Sequence, residues 1–205
     1  MWIKERGFNN MKNTKVISAF PGTGKTYCFN NFKEITMLDS DSSEFSWVKD
    51  ENGNNTTERN PDFPNNYIKH IKENIGKVDI IFVSSHDIVR EAMSKENIDF
   101  ILVYPSIYSK WIYEKRYRER GSSKSFIEMM DKNFNKFIEG MYKDKEHQRI
   151  ELYGNQTISD IFKYGYCGAI SNEECPSFVA HNGCDVIGCN IDCAWCDHVS
   201  QLLIN

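Results

Sequence analysis

Ala19-Phe20-Pro21-Gly22-Thr23-Gly24-Lys25-Thr26 follows the apolar run Val16-Ile17-Ser18 and precedes a segment with helical spacing. At all but one position it fits the pattern of a phosphate-binding loop: a glycine, four residues, then Gly-Lys-Ser/Thr. That chemistry requires consecutive backbone N–H groups to curl around phosphate oxygens at a helix N-terminus. Lys25 would reach the β- and γ-phosphates, and the Thr26 hydroxyl would ligate Mg²⁺. Pro21, Gly22, Thr23, Gly24, Lys25, Thr26 and the adjoining Tyr27 are therefore the candidate nucleotide-binding residues. Ala19 stands where the first glycine belongs, a costly exchange if that position needs a positive φ.

Outward from this stretch, apolar runs alternate with helical spacings. Strands are expected at Lys15 to Phe20, Ile35 to Leu38, Val78 to Val83, Phe100 to Tyr104 (stopped by Pro105) and Ile150 to Leu152. Helices are expected from Gly24 to Lys33, from Pro64 along Tyr67, Ile68, Ile71 and Ile75, through Val89, Arg90 and Met93, from Ile107 to Arg120 and from Phe126 to Met141. Thr157 to Phe162 would close the domain as a helical turn. Strands separated by helices imply right-handed crossovers and a parallel sheet covered on both sides. The expected fold class is thus α/β: a three-layer α/β/α P-loop NTPase fold with a five-stranded parallel sheet, over residues 11–162. A second methionine, Met11, makes residues 1–10 an expected extension, and residues 163–205 form a Cys-rich appendage.

Phosphoryl transfer needs phosphates cradled, Mg²⁺ held, charge neutralised and an acceptor oriented. The second strand runs into Asp39-Ser40-Asp41-Ser42-Ser43, at the strand end where an open α/β sheet binds ligands. Asp39 is the candidate Mg²⁺ carboxylate, acting through water. Asp41 faces the same way if the strand persists, and would accept the acceptor hydroxyl's proton. The alternative is that this segment caps the next helix. Six cations, Lys110, Lys115, Arg116, Arg118, Arg120 and Lys124, face two acids, Glu114 and Glu119, over residues 110–124. Arg116 and Arg120 share a helix face and are the candidates to neutralise the transferring phosphoryl group, on a lid (107–125) hinged at Gly121. A solvated helix face is the competing reading of the same charges.

Residues 44–62 are polar, and read as a flap with its tip at Asp50 to Thr57. Phe45 and Trp47 in it are candidates to stack a base, with Arg59 or Arg90 binding an anionic group. Ser84, Ser85 and His86 end the third strand, where His86 is expected to hydrogen-bond at a helix start.

The net charge of −4 and pI of 5.8 give no global attraction to nucleic acid or an anionic membrane. No segment has the length and apolarity of a membrane span, so a cytoplasmic protein is expected. Six of the seven cysteines lie from Cys167 onward, and Cys184, Cys189, Cys193 and Cys196 are separated by four, three and two residues. Thiolates at that density suit tetrahedral Zn²⁺, with free thiols as the alternative. Cys189-Asn-Ile-Asp-Cys193-Ala-Trp-Cys196 also resembles the cluster-binding loop of radical S-adenosylmethionine enzymes, although those loops open a large barrel and nine residues follow here.

Through Ala19 to Thr26, the Asp39-x-Asp41 pair and the basic segment Lys115 to Gly121, residues 14–162 resemble the small P-loop kinases. That group includes adenylate and other nucleoside monophosphate kinases and shikimate kinase. The Asp-x-Asp pair is similar to the shikimate-kinase type, in which the first aspartate serves Mg²⁺ and the second contacts the acceptor hydroxyl. Ile17 to Thr26, Leu38 to Ser43 and Asn60-Pro-Asp-Phe-Pro64 are similar to kinase-like proteins of bacteriophages. The resemblance implies ATP and Mg²⁺ as cofactors and a nucleotide, nucleoside or similar hydroxyl-bearing acceptor. It also leaves open a kinase of hydroxymethylpyrimidines in phage DNA. An ATP-binding regulatory or nucleic-acid-binding module is the alternative from another class.

Overall fold

The computed structural model describes residues 12–164. The cysteines from Cys167 onward, with the zinc set Cys184, Cys189, Cys193 and Cys196, and residues 1–10 lie outside the described residues. Five parallel strands form the main sheet: β1 (Lys15–Ala19), β2 (Met37–Asp39), β5 (Ile80–Ser84), β6 (Ile101–Pro105) and β7 (Gln148–Leu152), in the spatial order β2-β5-β1-β6-β7. Between β2 and β5, β3 (Trp47–Lys49) and β4 (Asn55–Arg59) pair as a separate antiparallel hairpin. The helices are α1 (Lys25–Asn31), α2 (Ser43–Ser46), α3 (Asn65–Asn74), α4 (Asp87–Lys95), α5 (Lys110–Glu119), α6 (Lys124–Tyr142) and α7 (Ile158–Tyr164), with a 3₁₀ turn at Ile107–Ser109.

Successive side chains of a strand point to opposite faces, so a strand covered on both sides is apolar throughout. Here Ile17, Ala19, Ile80, Phe82, Ile101, Val103, Ile150 and Leu152 meet Cys28 of α1 and Ile158 and Ile161 of α7. Their neighbours Val16, Ile81, Val83, Leu102 and Tyr104 join Phe20, just past β1, and meet the buried residues of α3, α4, α5 and α6. Helices thus pack on both faces of the sheet. Because α1 lies on one face while α4 and α5 lie on the other, β1 is flanked on both sides by strands whose chains leave the opposite way. The carboxyl end of β1 is therefore a topological switch point, where a crevice opens.

The polar stretch expected as a flap holds α2 and the hairpin, and the turn is Asp50 to Asn54. The Asp50 carboxylate accepts the N–H groups of Asn52 and Asn54 at 2.9 and 2.8 Å, which closes that turn. β4 reads Asn-Thr-Thr-Glu-Arg and is exposed along most of its length, so no apolar alternation announces it. Pro105 is the last residue of β6, opposite Leu152, rather than the residue beyond it.

A polar chain crosses the layer of α4 and the α6–β7 connection. Arg90 pairs with Asp144 at 3.4 Å, and His147 Nδ1 lies 3.0 Å from the same carboxylate. His147 Nε2 lies 3.2 Å from Ser94 Oγ, and its ring stacks on Phe100. Burial pushes the Asp144 carboxyl up, but hydrogen bonds from the His147 side chain and backbone outweigh it and hold it below the usual range. Its contribution to stability is therefore present above the ordinary carboxylate pKa and fades as pH falls through the lower folded value. Asp144→Ala, which leaves Arg90 and His147 facing an empty site, is expected to cost about 3 kcal/mol, read from a lowered urea midpoint at neutral pH.

Candidate functional site

The loop from Phe20 to Gly24 joins β1 to α1 at the crevice. Ala19 is the last residue of β1, fully buried and with no positive φ, so alanine at that position carries no backbone strain. The left-handed positions are Gly22 (φ 85°) and Gly24 (φ 98°). A Cβ at Gly22 would stand 3.0 Å from Tyr117 Cε1, and one at Gly24 3.3 Å from Thr157 Cβ. Both glycines are therefore required by conformation and by close packing together.

The carbonyl groups of this loop are all taken by protein donors. Lys25 Nζ donates to Ala19 O at 2.7 Å, and the buried Thr23 hydroxyl donates to Phe20 O at 2.7 Å. The Tyr117 hydroxyl donates to Pro21 O at 2.9 Å, and Arg116 donates to Gly22 O at 3.0 Å. The Ile158 and Cys28 N–H groups take Thr23 O and Gly24 O, at 2.9 and 3.0 Å. By contrast, among the described residues the N–H groups of Gly22, Gly24, Lys25 and Thr26 have no protein acceptor. Every carbonyl of the loop is thus engaged, while a set of N–H donors at the start of α1 is left without protein acceptors.

Lys25, part-buried at the head of α1, is the cation of the site. Burial lowers its pKa to about 8; the charges of Asp39 and Asp41 oppose that shift and Arg120 reinforces it. All three charged groups thus lie within electrostatic reach of the ammonium. The Thr26 hydroxyl donates to Asp39 Oδ2 at 2.6 Å, bringing the two candidate Mg²⁺ ligands together. Asp41 Oδ1 accepts the Ser43 N–H at 2.9 Å, so this carboxylate shapes the start of α2 with one oxygen. Beneath them the buried Tyr67 hydroxyl donates to Ser40 O at 2.8 Å and accepts the Ser84 N–H at 3.3 Å, tying the ends of β2 and β5 together.

The six cations of residues 110–124 divide into two groups. Lys110 pairs with Asp131, Lys115 with Glu119, Arg118 with Glu114 and Lys124 with Glu128. Those four belong to the solvated outer faces of α5 and α6. Arg116 turns to the loop and lies 4.7 Å above the Tyr113 ring, whereas the exposed Arg120 donates to the Ser122 hydroxyl at 2.6 Å and lies over the Tyr117 and Phe126 rings at 4.8 and 5.2 Å. Ile112, Tyr113 and Tyr117 are buried, so the segment expected as a lid is rooted in the core along α5.

On the acceptor side the fold gives each candidate its surroundings. Phe45 packs against Tyr67 and His70, at centroid distances of 5.0 and 4.8 Å, as a partly buried side chain at the edge of the core. Arg90 is committed to Asp87, Asp144 and the Ser85 carbonyl, which removes it as an anion ligand. His86 occupies the N-cap position of α4, where its carbonyl accepts the Val89 and Arg90 N–H groups at 2.9 and 3.0 Å while its side chain makes no capping hydrogen bond. Loss of hydration lowers its pKa, with Arg59 and Lys25 adding to the effect against Asp87 and Asp41. Arg59 lies 3.9 Å over the Trp47 ring and takes part in none of the ion pairs among the described residues. Tyr117, Tyr67 and the 153–157 loop were not singled out by sequence. Tyr67 and Tyr117 carried a weak cue, each being a tyrosine on the inward stripe of an amphipathic helix.

No family model matches this chain, and no curated protein matches it. The crevice gathers the N–H groups of Gly22, Gly24, Lys25 and Thr26, the Lys25 ammonium and two carboxylates, Asp39 and Asp41. As pH rises through about 8, Lys25 loses its proton and the site its cation. Affinity for ATP, used as a polyanion already fully ionised in that range, is expected to fall from pH 7.5 to 9.5, with the slope flattened in Lys25→Met; titration calorimetry reads both.

Proposed function

We propose that the protein is an ATP-dependent phosphotransferase that moves the γ-phosphoryl group of ATP to a nucleotide, nucleoside or similar small acceptor. The observation that carries this reading is the loop at the end of β1, with its acceptors engaged from outside and the N–H groups of Gly22, Gly24, Lys25 and Thr26 without protein acceptors. Those donors would cradle the phosphates, and Lys25 would bridge the β- and γ-phosphates. Thr26 and Asp39 offer hard oxygen ligands already side by side, which fit Mg²⁺. When bound there, the metal would offset charge on the phosphates.

The second carboxylate, Asp41, has one oxygen engaged with Ser43 N–H, and its other oxygen would orient the acceptor hydroxyl and take its proton. Arg120, within reach of the Lys25 charge, would stabilise the transferring phosphoryl group. Arg59 on the Trp47 ring, with His86 nearby, suits an acceptor that carries an anionic group beside its hydroxyl.

The test is acceptor-dependent ADP release with Mg²⁺ and ATP, across nucleoside monophosphates, nucleosides and hydroxymethyluracil-containing DNA. Lys25→Ala is expected to lower kcat by about 100-fold or more. Asp41→Asn, which keeps an acceptor for the Ser43 N–H, should lower kcat while leaving ATP affinity largely intact. Arg59→Ala should raise the acceptor KM about tenfold and leave the KM for ATP unchanged. Wild-type turnover in Lys25→Ala would refute the reading.

A further inference from the structure

Arg116 was expected among the cations that meet the transferring phosphoryl group. Its surroundings give it other work. One guanidinium nitrogen donates to Gly22 O at 3.0 Å, and the other donates to Asn155 O at 2.8 Å and Gln156 O at 3.3 Å. The flat face of the same group lies over Tyr113, whose ring carbons are 3.3 and 3.5 Å from where a Gly22 side chain would begin. The next residue, Tyr117, holds Pro21 O from the same helix. On the far side of the loop, the Ile158 N–H takes Thr23 O, and Thr157 packs against Gly24.

These contacts form a closed circuit. α5 holds the carbonyls of Pro21 and Gly22, the 153–158 segment holds that of Thr23, and Arg116 joins the two by also taking the carbonyls of Asn155 and Gln156. A planar fork of fixed N–H directions can bridge three carbonyl oxygens on two segments, whereas a lysine ammonium is a single point on a flexible stem. A peptide unit whose C=O is held on one side must present its N–H on the other. Fixing Pro21 O therefore sets the direction of the Gly22 N–H, and fixing Gly22 O holds the next peptide plane, whose Thr23 N–H closes on Phe20 O at 3.3 Å and so sets where the chain enters Gly24.

We propose that Arg116 is a positioning residue: by clamping Gly22 to the Asn155-Gln156 segment it presets the donor geometry of the phosphate loop, and it does so without touching the nucleotide. This deepens the phosphotransferase reading and rests on it for the identity of the ligand. Of the two candidates it leaves Arg120, the C-cap residue of α5, as the arginine proposed for the transferring group.

The experiment compares wild type, Arg116→Ala, Arg116→Lys and Arg120→Ala in the full chain, each first shown to melt cooperatively. Affinities for Mg²⁺-ATP and Mg²⁺-ADP are measured by titration calorimetry. Arg116→Ala is expected to weaken both nucleotides by a similar factor of about ten or more, Arg116→Lys to recover little, and millimolar guanidinium to restore part of the loss. A merely destabilising change would lower the melting temperature without altering affinity well below it, and that outcome overturns the proposal. Loss of ATP affinity with ADP unaffected would place Arg116 on the γ-phosphate and also overturn it.

A ligand-free measurement separates the clamp from the nucleotide reading. With ¹⁵N-glycine labelling of the 12 glycines, the Gly22 and Gly24 amide signals should shift or broaden in Arg116→Ala, while glycines remote from the loop keep their positions. Unchanged Gly22 and Gly24 signals refute the clamp even if nucleotide binds. Failure of wild type to bind either nucleotide refutes the phosphotransferase reading, and with it the ligand assigned to the clamp.

Discussion

The constraint on which this structure depends is the one-sided hydrogen bonding of the loop after β1. Buried backbone groups need partners, and a tight loop supplies only some of them from its own residues. Here every carbonyl from Ala19 to Gly24 receives a donor, whereas the N–H groups of Gly22, Gly24, Lys25 and Thr26 receive no protein acceptor. α5 contributes Tyr117 and Arg116, the start of α7 contributes the Ile158 N–H, and the loop itself contributes the Thr23 hydroxyl and Lys25 ammonium. What remains facing inwards is a set of donors. Much of the architecture can be read as scaffolding for this asymmetry: a central β1, helices leaving to opposite faces on either side of it, and glycines where a side chain would collide with Tyr117 or Thr157.

The same economy governs charge. Lys110, Lys115, Arg118 and Lys124 on the outer faces of α5 and α6 are each paired with a carboxylate, an arrangement that contributes little to stability. At the crevice Lys25, Asp39, Asp41 and Arg120 stand close enough for each to act on the Lys25 proton. A buried lysine whose pKa is lowered beside charged neighbours is a recurrent mark of sites that act on charged ligands. By contrast the Arg90-Asp144-His147-Ser94 chain is structural: its groups satisfy one another across a layer boundary, with His147 stacked on Phe100.

Much was legible in the order of residues. Continuous apolar runs and helical spacings located the five parallel strands and the main helices to within a few residues, because both depend on local periodicity. The phosphate-loop pattern and the Asp39-x-Asp41 pair also depend on near neighbours, and they fall at the ends of β1 and β2 as expected. The hairpin of β3 and β4 was not legible. Its second strand is polar, since a two-stranded ribbon outside the core has no face to bury.

Sequence by itself thus determined the alternation of elements, the place of the loop and which residues were chemically able to serve a site. Tertiary structure alone decided which of those residues do. Arg116 and Gly22 lie 94 positions apart, and helical spacing groups Arg116 with Arg120, although the first holds Gly22 O and the second donates to the Ser122 hydroxyl. Arg59 and Arg90 were equivalent candidates until the fold placed Asp144 beside one and the Trp47 ring beneath the other. The physical reason is that a helix or strand is specified by neighbours within a turn or two, whereas the partner of a charged side chain is set by which distant backbone and carboxylate groups the packing brings within hydrogen-bonding distance.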